Sequence, residues 1–142
     1  MMPLAPKKAA ALALVVALSA GGAYAALSRG VRVTLYEMRP GVATPAHRSA
    51  DFAELVCSNS LGSANPERAP GMLKRELRAL DSLILRTAEA YAVPAGGALA
   101  VDRQAFACAV TVAVSEHPNI RVVREELREL PRTGIVVCAS GP

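Results

Sequence analysis

The chain has 142 residues, 52% of them hydrophobic but only 4% aromatic, with no Trp and a formal net charge of +4. That length holds at most one domain with a modest core, and so slight a charge, carried by dispersed Lys and Arg, is no argument for a nucleic-acid surface. Three cysteines without a C-x-x-C pair argue against a disulfide scaffold and a cysteine zinc site, and favour reduced thiols in the cytoplasm.

Residues 1–28 form an Ala-rich leader that admits three readings. Lys7 and Lys8, the apolar run from Ala9 to Ala20 and the small-x-small Ala23-Tyr24-Ala25 have the outline of an export signal cleaved after Ala25. The same stretch can stand where a dinucleotide fold has its first strand and Gly-rich turn. Only Gly21-Gly22 remains of such a turn, Gly21 serving at best as its third glycine. A frame-shifted start is the third reading. The apolar run is short for a membrane span.

Val31 to Tyr36 alternates as a strand, and Glu37 closes it. A carboxylate at that point suits a ribose diol, since it accepts two hydrogen bonds. Pro40 to Ser49 reads as a loop, with His47 an exposed member of it or, alternatively, an acid/base or phosphate contact. Asp51 to Val56 reads as a short helix or extended turn leading to Cys57. Taken by itself Cys57 is either a small buried hydrophobe or an activated thiol served by donors on Ser58, Asn59 and Ser60.

Gly71 to Tyr91 has the spacing of one helix, with Leu73, Leu77, Leu80, Ile84 and Ala88 on a single apolar face. Val93 to Arg103, with Pro94 and Gly96-Gly97, reads as a loop. Asp102 is placed to N-cap a helix running to Ser115. Ile120 to Val123 is a strand, Arg124 to Glu129 an ordinary solvated charged face, and Ile135 to Ala139 a last, buried strand. Cys108 and Cys138 read as core.

Three strings, Leu35-Tyr36-Glu37-Met38-Arg39-Pro40, Phe52 to Leu61 with its Cys57-Ser58-Asn59-Ser60, and Val93 to Arg103, stand in the order found in one family. From about Arg29 to Pro142 the sequence resembles the folate- and FAD-dependent tRNA (uracil-5-)-methyltransferases. The resemblance implies an incomplete FAD/NAD(P)-binding Rossmann-like α/β domain over residues 29–142, mainly a parallel sheet with flanking helices. It implies FAD as cofactor, methylenetetrahydrofolate and NAD(P)H as co-substrates, and a T-loop uridine of tRNA as methyl acceptor, with no metal.

Residue by residue, it implies ribose binding by Glu37, with Met38 and Arg39 near the adenosine end. Ser58, Asn59, Ser60, Val123 and Gly21 join the cofactor set. Cys57 is placed at the flavin, in the methyl-transfer chemistry. A second functional cysteine of the family lies further along than this sequence reaches. The expectation is therefore a fragment inactive by itself in the cytoplasm; the alternatives are a non-catalytic remnant or a small exported protein.

Overall fold

A computed structural model describes residues 31–138 and the strand at 15–17. Four parallel strands form the main sheet: β1 (Val15–Ala17), β2 (Val33–Tyr36), β6 (Ile120–Val123) and β7 (Val136–Cys138), in the order β6-β2-β1-β7. The register sets Val33 against Ile120 and Tyr36 against Val123. Val15 meets Thr34 on one side and Val136 on the other.

The alternation in β2 explains its placement. Val33 and Leu35 are buried in the core, while Thr34 and Tyr36 between them are half-buried. The helix covering them is α3 (Arg103–Ser115), which buries Phe106, Val110 and Val114 at four-residue spacing. These side chains share one core with Val33, Leu35, Phe52, Leu83, Val101 and Ile120. Asp102 caps α3 as its sequence position implied, Oδ1 accepting from the Ala105 N–H at 3.0 Å.

Three expectations fail here. First, the helix proposed from Gly71 to Tyr91 is two helices, α1 (Ala69–Ala79) and α2 (Leu83–Ala90). Asp81 turns left-handed at φ 50°, and the Ser82 hydroxyl accepts from the Leu85 N–H and starts a new helix. The apolar stripe is thereby split. Leu83, Leu85 and Ala88 are buried, but Leu73 and Leu80 are 55% and 73% exposed.

Second, Val93 to Arg103 is not a loop. β4 (Ala92–Val93) and β5 (Ala98–Val101) pair antiparallel around Gly96, whose φ of 59° a side chain would resist. With β3 (Ser60–Ser63) they make a second sheet, in the order β3-β5-β4, so the strands are less uniformly parallel than expected. Third, Cys108 and Cys138 are exposed, and the last strand is not the buried one expected, since Ile135 and Val137 are exposed too. Cys108 lies off the stripe that α3 buries, and Cys138 is on β7, an edge strand of the main sheet. The Asp51–Val56 segment resolves as a turn without helix, with Ala53 at φ 56°.

The free edge of β3 is closed by a side chain. Lys74, on α1 and nearly buried, donates from Nζ to the carbonyls of Leu61 at 2.7 Å and Ser63 at 3.0 Å. Beside it, a Cβ added to Gly71 would come within 1.8 Å of the Asn65 carbonyl oxygen. Two predictions follow, both read by urea denaturation. Lys74→Met leaves those carbonyls unsatisfied and lowers stability by about 1–3 kcal/mol. Gly71→Ala forces α1 off the Asn65 loop and costs about 1–3 kcal/mol.

Candidate cofactor site and the Cys57 turn

Parallel α/β sheets take their ligands at the carboxyl ends of the strands. Glu37 stands at that end, one residue past β2, and its N–H donates to the carbonyl of Val123, the last residue of β6, at 3.0 Å. Glu37 and Val123, both expected in the cofactor set, are thus adjacent. Gly21 falls outside the described residues.

The Glu37 carboxylate is buried and gripped by Arg39. Oε1 accepts from the Arg39 backbone N–H and from Nε, and Oε2 from Nη2, all at 3.0 Å. The remaining amino group, Nη1, donates to the Ser49 carbonyl and to Glu54 Oε2, each at 3.2 Å. Arg39 is therefore enclosed between two carboxylates. The sequence set both residues after β2 but did not pair them, since the alternation that fixes facing ends with the strand at Tyr36. No local signal joins Arg39 to Glu54, fifteen positions later.

Glu54 gathers the loop around itself. Its Oε1 accepts from the Arg48 N–H at 2.9 Å, and Oε2 from the N–H and hydroxyl of Ser49 at 3.1 and 3.0 Å. Arg124 corrects a further expectation. It is no member of a solvated face: Nη1 donates to the Arg39 and Ala50 carbonyls at 3.2 and 2.8 Å, and its guanidinium lies 4.3 Å from the Phe52 ring centroid. A following run of charges disguised it. His47 bonds Thr44 within the same loop, at 2.5 Å.

The charges settle accordingly. Burial pushes Glu37 up, but hydrogen bonds from the Arg39 side chain and backbone, and the charges of Arg39 and Arg124, more than reverse this and hold it below 4.5. Glu54 is also pushed up by burial, and brought lower by its bonds from Arg48 and Ser49 and the nearby charge of His47. Arg124 is lowered, by burial first and by repulsion from Arg39, against the attraction of Glu37 and Asp51.

Met38 is half-buried, its carbonyl accepting from the Val42 N–H at 2.9 Å. Cys57 is exposed, which removes the buried-hydrophobe reading. The residues after it are occupied mainly with holding the turn. Ser58 Oγ accepts from the Ser60 N–H at 3.1 Å, and Ser60 Oγ from the Gly62 N–H at 3.1 Å. Asn59 is knitted to β5, its carbonyl accepting from the Val101 N–H at 2.9 Å and its Nδ2 donating to the Val101 carbonyl at 3.1 Å. Cys57 thus lies three residues before β3 of the antiparallel sheet and Glu37 one residue after β2 of the parallel sheet, and the Arg39–Glu54 ion pair joins the two segments. Among the described residues no cluster of metal-binding side chains forms, and no helix is long and apolar enough to cross a membrane.

A parallel sheet with a carboxylate at the end of β2, covered by α3, defines an α/β domain of the FAD/NAD(P)-binding Rossmann-like class. The profile of one family, glucose inhibited division protein A, matches residues 19–141, and the chain belongs to that family. Among its relatives, the methylenetetrahydrofolate–tRNA-(uracil-5-)-methyltransferase TrmFO of Symbiobacterium thermophilum is 63% identical over 120 residues, covering 84% of this chain and 27% of that protein. The proteins of the same name from Rubrobacter xylanophilus and Desulfitobacterium hafniense are 60% and 58% identical, over 84% and 80% of this chain and 27% and 26% of their own lengths. The resemblance read from the three strings therefore holds, and the chain spans about a quarter of the length of these relatives.

The lowered carboxylates set the acid limit of the fold. Their folded-state values lie below the ordinary 4.5 of the unfolded chain, so the stability they contribute is present above 4.5. It is lost as pH falls through the depressed values. Circular dichroism in acid should show the wild type losing stability below pH 4.5, with Glu37→Gln less stable at neutral pH and showing a flatter acid limb.

Proposed function

We propose that this chain is the FAD-binding segment of a methylenetetrahydrofolate- and FAD-dependent tRNA (uracil-5-)-methyltransferase. The observation that carries the reading is the ionised Glu37 carboxylate fixed at the carboxyl end of β2, in a chain 63% identical over 120 residues to an enzyme of that name.

The donor set suits an adenosine ribose. A diol needs an anionic acceptor held still, and Arg39 supplies the rigidity. Among the described residues Oε2 of Glu37 accepts a single bond, and because the side chain is buried a ribose hydroxyl reaches its second lone pair only by displacing what covers it. Met38 and Val123 are the neighbours proposed to line the adenosine, with Arg39 behind Glu37. Ser58, Asn59 and Ser60 are assigned to the flavin side, and Gly21 to the diphosphate.

Once reduced by NAD(P)H, bound FAD would supply the reducing equivalents that turn the folate one-carbon unit into a methyl group. The chain's own part is to orient that cofactor and to present Cys57. An exposed thiol on a fixed turn can add to C6 of a uracil, which makes C5 the nucleophile. The folate and tRNA contacts are assigned to the part of the relatives beyond the matched quarter, so the chain alone is proposed to be inactive in methyl transfer. The reading places the protein in the cytoplasm, with tRNA as its partner.

Titration of the chain with FAD, followed by flavin fluorescence, tests the cofactor. Wild type should bind, and Glu37→Gln should weaken binding about tenfold, the value of one charge-assisted hydrogen bond. A wild type that leaves flavin fluorescence unchanged would remove the reading. For Cys57, residues 31–138 are exchanged into the Symbiobacterium relative and tRNA methylation is assayed with and without Cys57→Ala. Loss of methylation is expected from the substitution, and undiminished activity would strike Cys57 from the chemistry.

A further inference from the structure

We propose that Arg39 is a positioning residue that fixes the Cys57 turn from the end of β2, so that binding at Glu37 and reactivity at Cys57 are coupled. The coupling to the cofactor depends on the FAD reading above; the positioning of the turn does not.

Three features carry this. Arg39 is 3% exposed and directs its guanidinium bonds inward, Nε and Nη2 to Glu37 and Nη1 to Ser49 and Glu54. A guanidinium is a rigid plane, so a displacement at one carboxylate is transmitted to the other. Glu54 then lies three residues before Cys57 and carries the loop N–H groups of Arg48 and Ser49.

The turn between is strained. Ala53 holds φ 56°, a left-handed conformation that a residue with a Cβ seldom adopts. It is kept there from both sides. Phe52 before it is locked in the core, its N–H donating to Thr111 Oγ1 at 2.8 Å, and Glu54 after it is locked on Arg39. Arg124 closes the arrangement by binding the carbonyls of Arg39 and Ala50. Loosening Arg39 lets Ala53 relax and moves the segment that ends in Cys57. A ribose hydroxyl bonding to Glu37 shares the carboxylate with Arg39, and the change reaches Glu54 through the same plane.

The test is the rate at which iodoacetamide alkylates each cysteine of the full chain, resolved by peptide mass mapping. Cys108 on α3 and Cys138 on β7 are exposed and serve as references in the same molecule. Arg39→Lys keeps the charge but cannot bond two carboxylates as a fork. It should speed Cys57 about fivefold relative to both references, as release of the strained turn requires. Saturating ADP, which has the adenosine ribose but no flavin to cover Cys57, should slow Cys57 about fivefold in wild type, the lower range of site-to-site coupling, and leave Arg39→Lys unaffected.

Should Arg39→Lys fail to fold, Glu54→Gln removes the second carboxylate alone and should give the same pattern. A general loosening would accelerate all three cysteines together, and that result overturns the proposal. So does an unchanged Cys57 rate in the variants, or an ADP effect on Cys57 that survives them. If wild type binds no FAD while the variants still speed Cys57 alone, the positioning role stands, and the cofactor reading and its coupling fall.

Discussion

One guanidinium shared by two carboxylates organises the ligand end of this domain. Arg39 is buried with Glu37, and its bonds to that carboxylate come from three nitrogens of one residue. Taking such charges out of water is costly, and the cost is met only when geometry is good and the remaining donors find acceptors. Here they do, in Glu54 and the Ser49 carbonyl. No buried side-chain nitrogen or oxygen among the described residues is left without a partner. The cluster is thereby committed to one arrangement, and the loop from Pro40 to Ala53 has its path set by charges at its two ends.

The two sheets divide the work. The parallel sheet carries Glu37 and Val123 to its carboxyl edge, because every strand in it runs the same way and the helix α3 fills one face. The antiparallel sheet carries the Cys57 turn. Asn59 ties the turn to β5, and Lys74 occupies the outer edge of β3, where an unpaired strand would offer bare carbonyls. The thiol is therefore held by a layer built from Ser60 onward, and its relation to the β2 end is decided by the Arg39–Glu54 bridge and by Phe52 under Arg124.

The apolar side chains that remain exposed follow from the helix break. With Asp81 left-handed, α2 turns its own leucines onto the core, and Leu73 on α1 and Leu80 just past its end are left exposed. A periodic apolar stripe records what a helix could bury. It does not record whether the backbone stays helical between its members, and Ser82, a good N-cap, interrupts it here.

The sequence by itself determined β2 and β6, the Asp102 cap and α3, since alternation, capping and four-residue spacing are local properties read within one element. It also determined the family: three strings kept their order, and the family profile matches residues 19–141. Only the tertiary structure decided that Arg39 and Glu54 meet, that Arg124 leaves the solvated run to stack on Phe52, and that Cys57 is exposed while Asn59 is spent on β5. Those pairings join residues 15 to 72 positions apart. A charged residue gives no local sign of which distant partner will offset its desolvation. That choice is made when the sheets and helices pack and remove it from water.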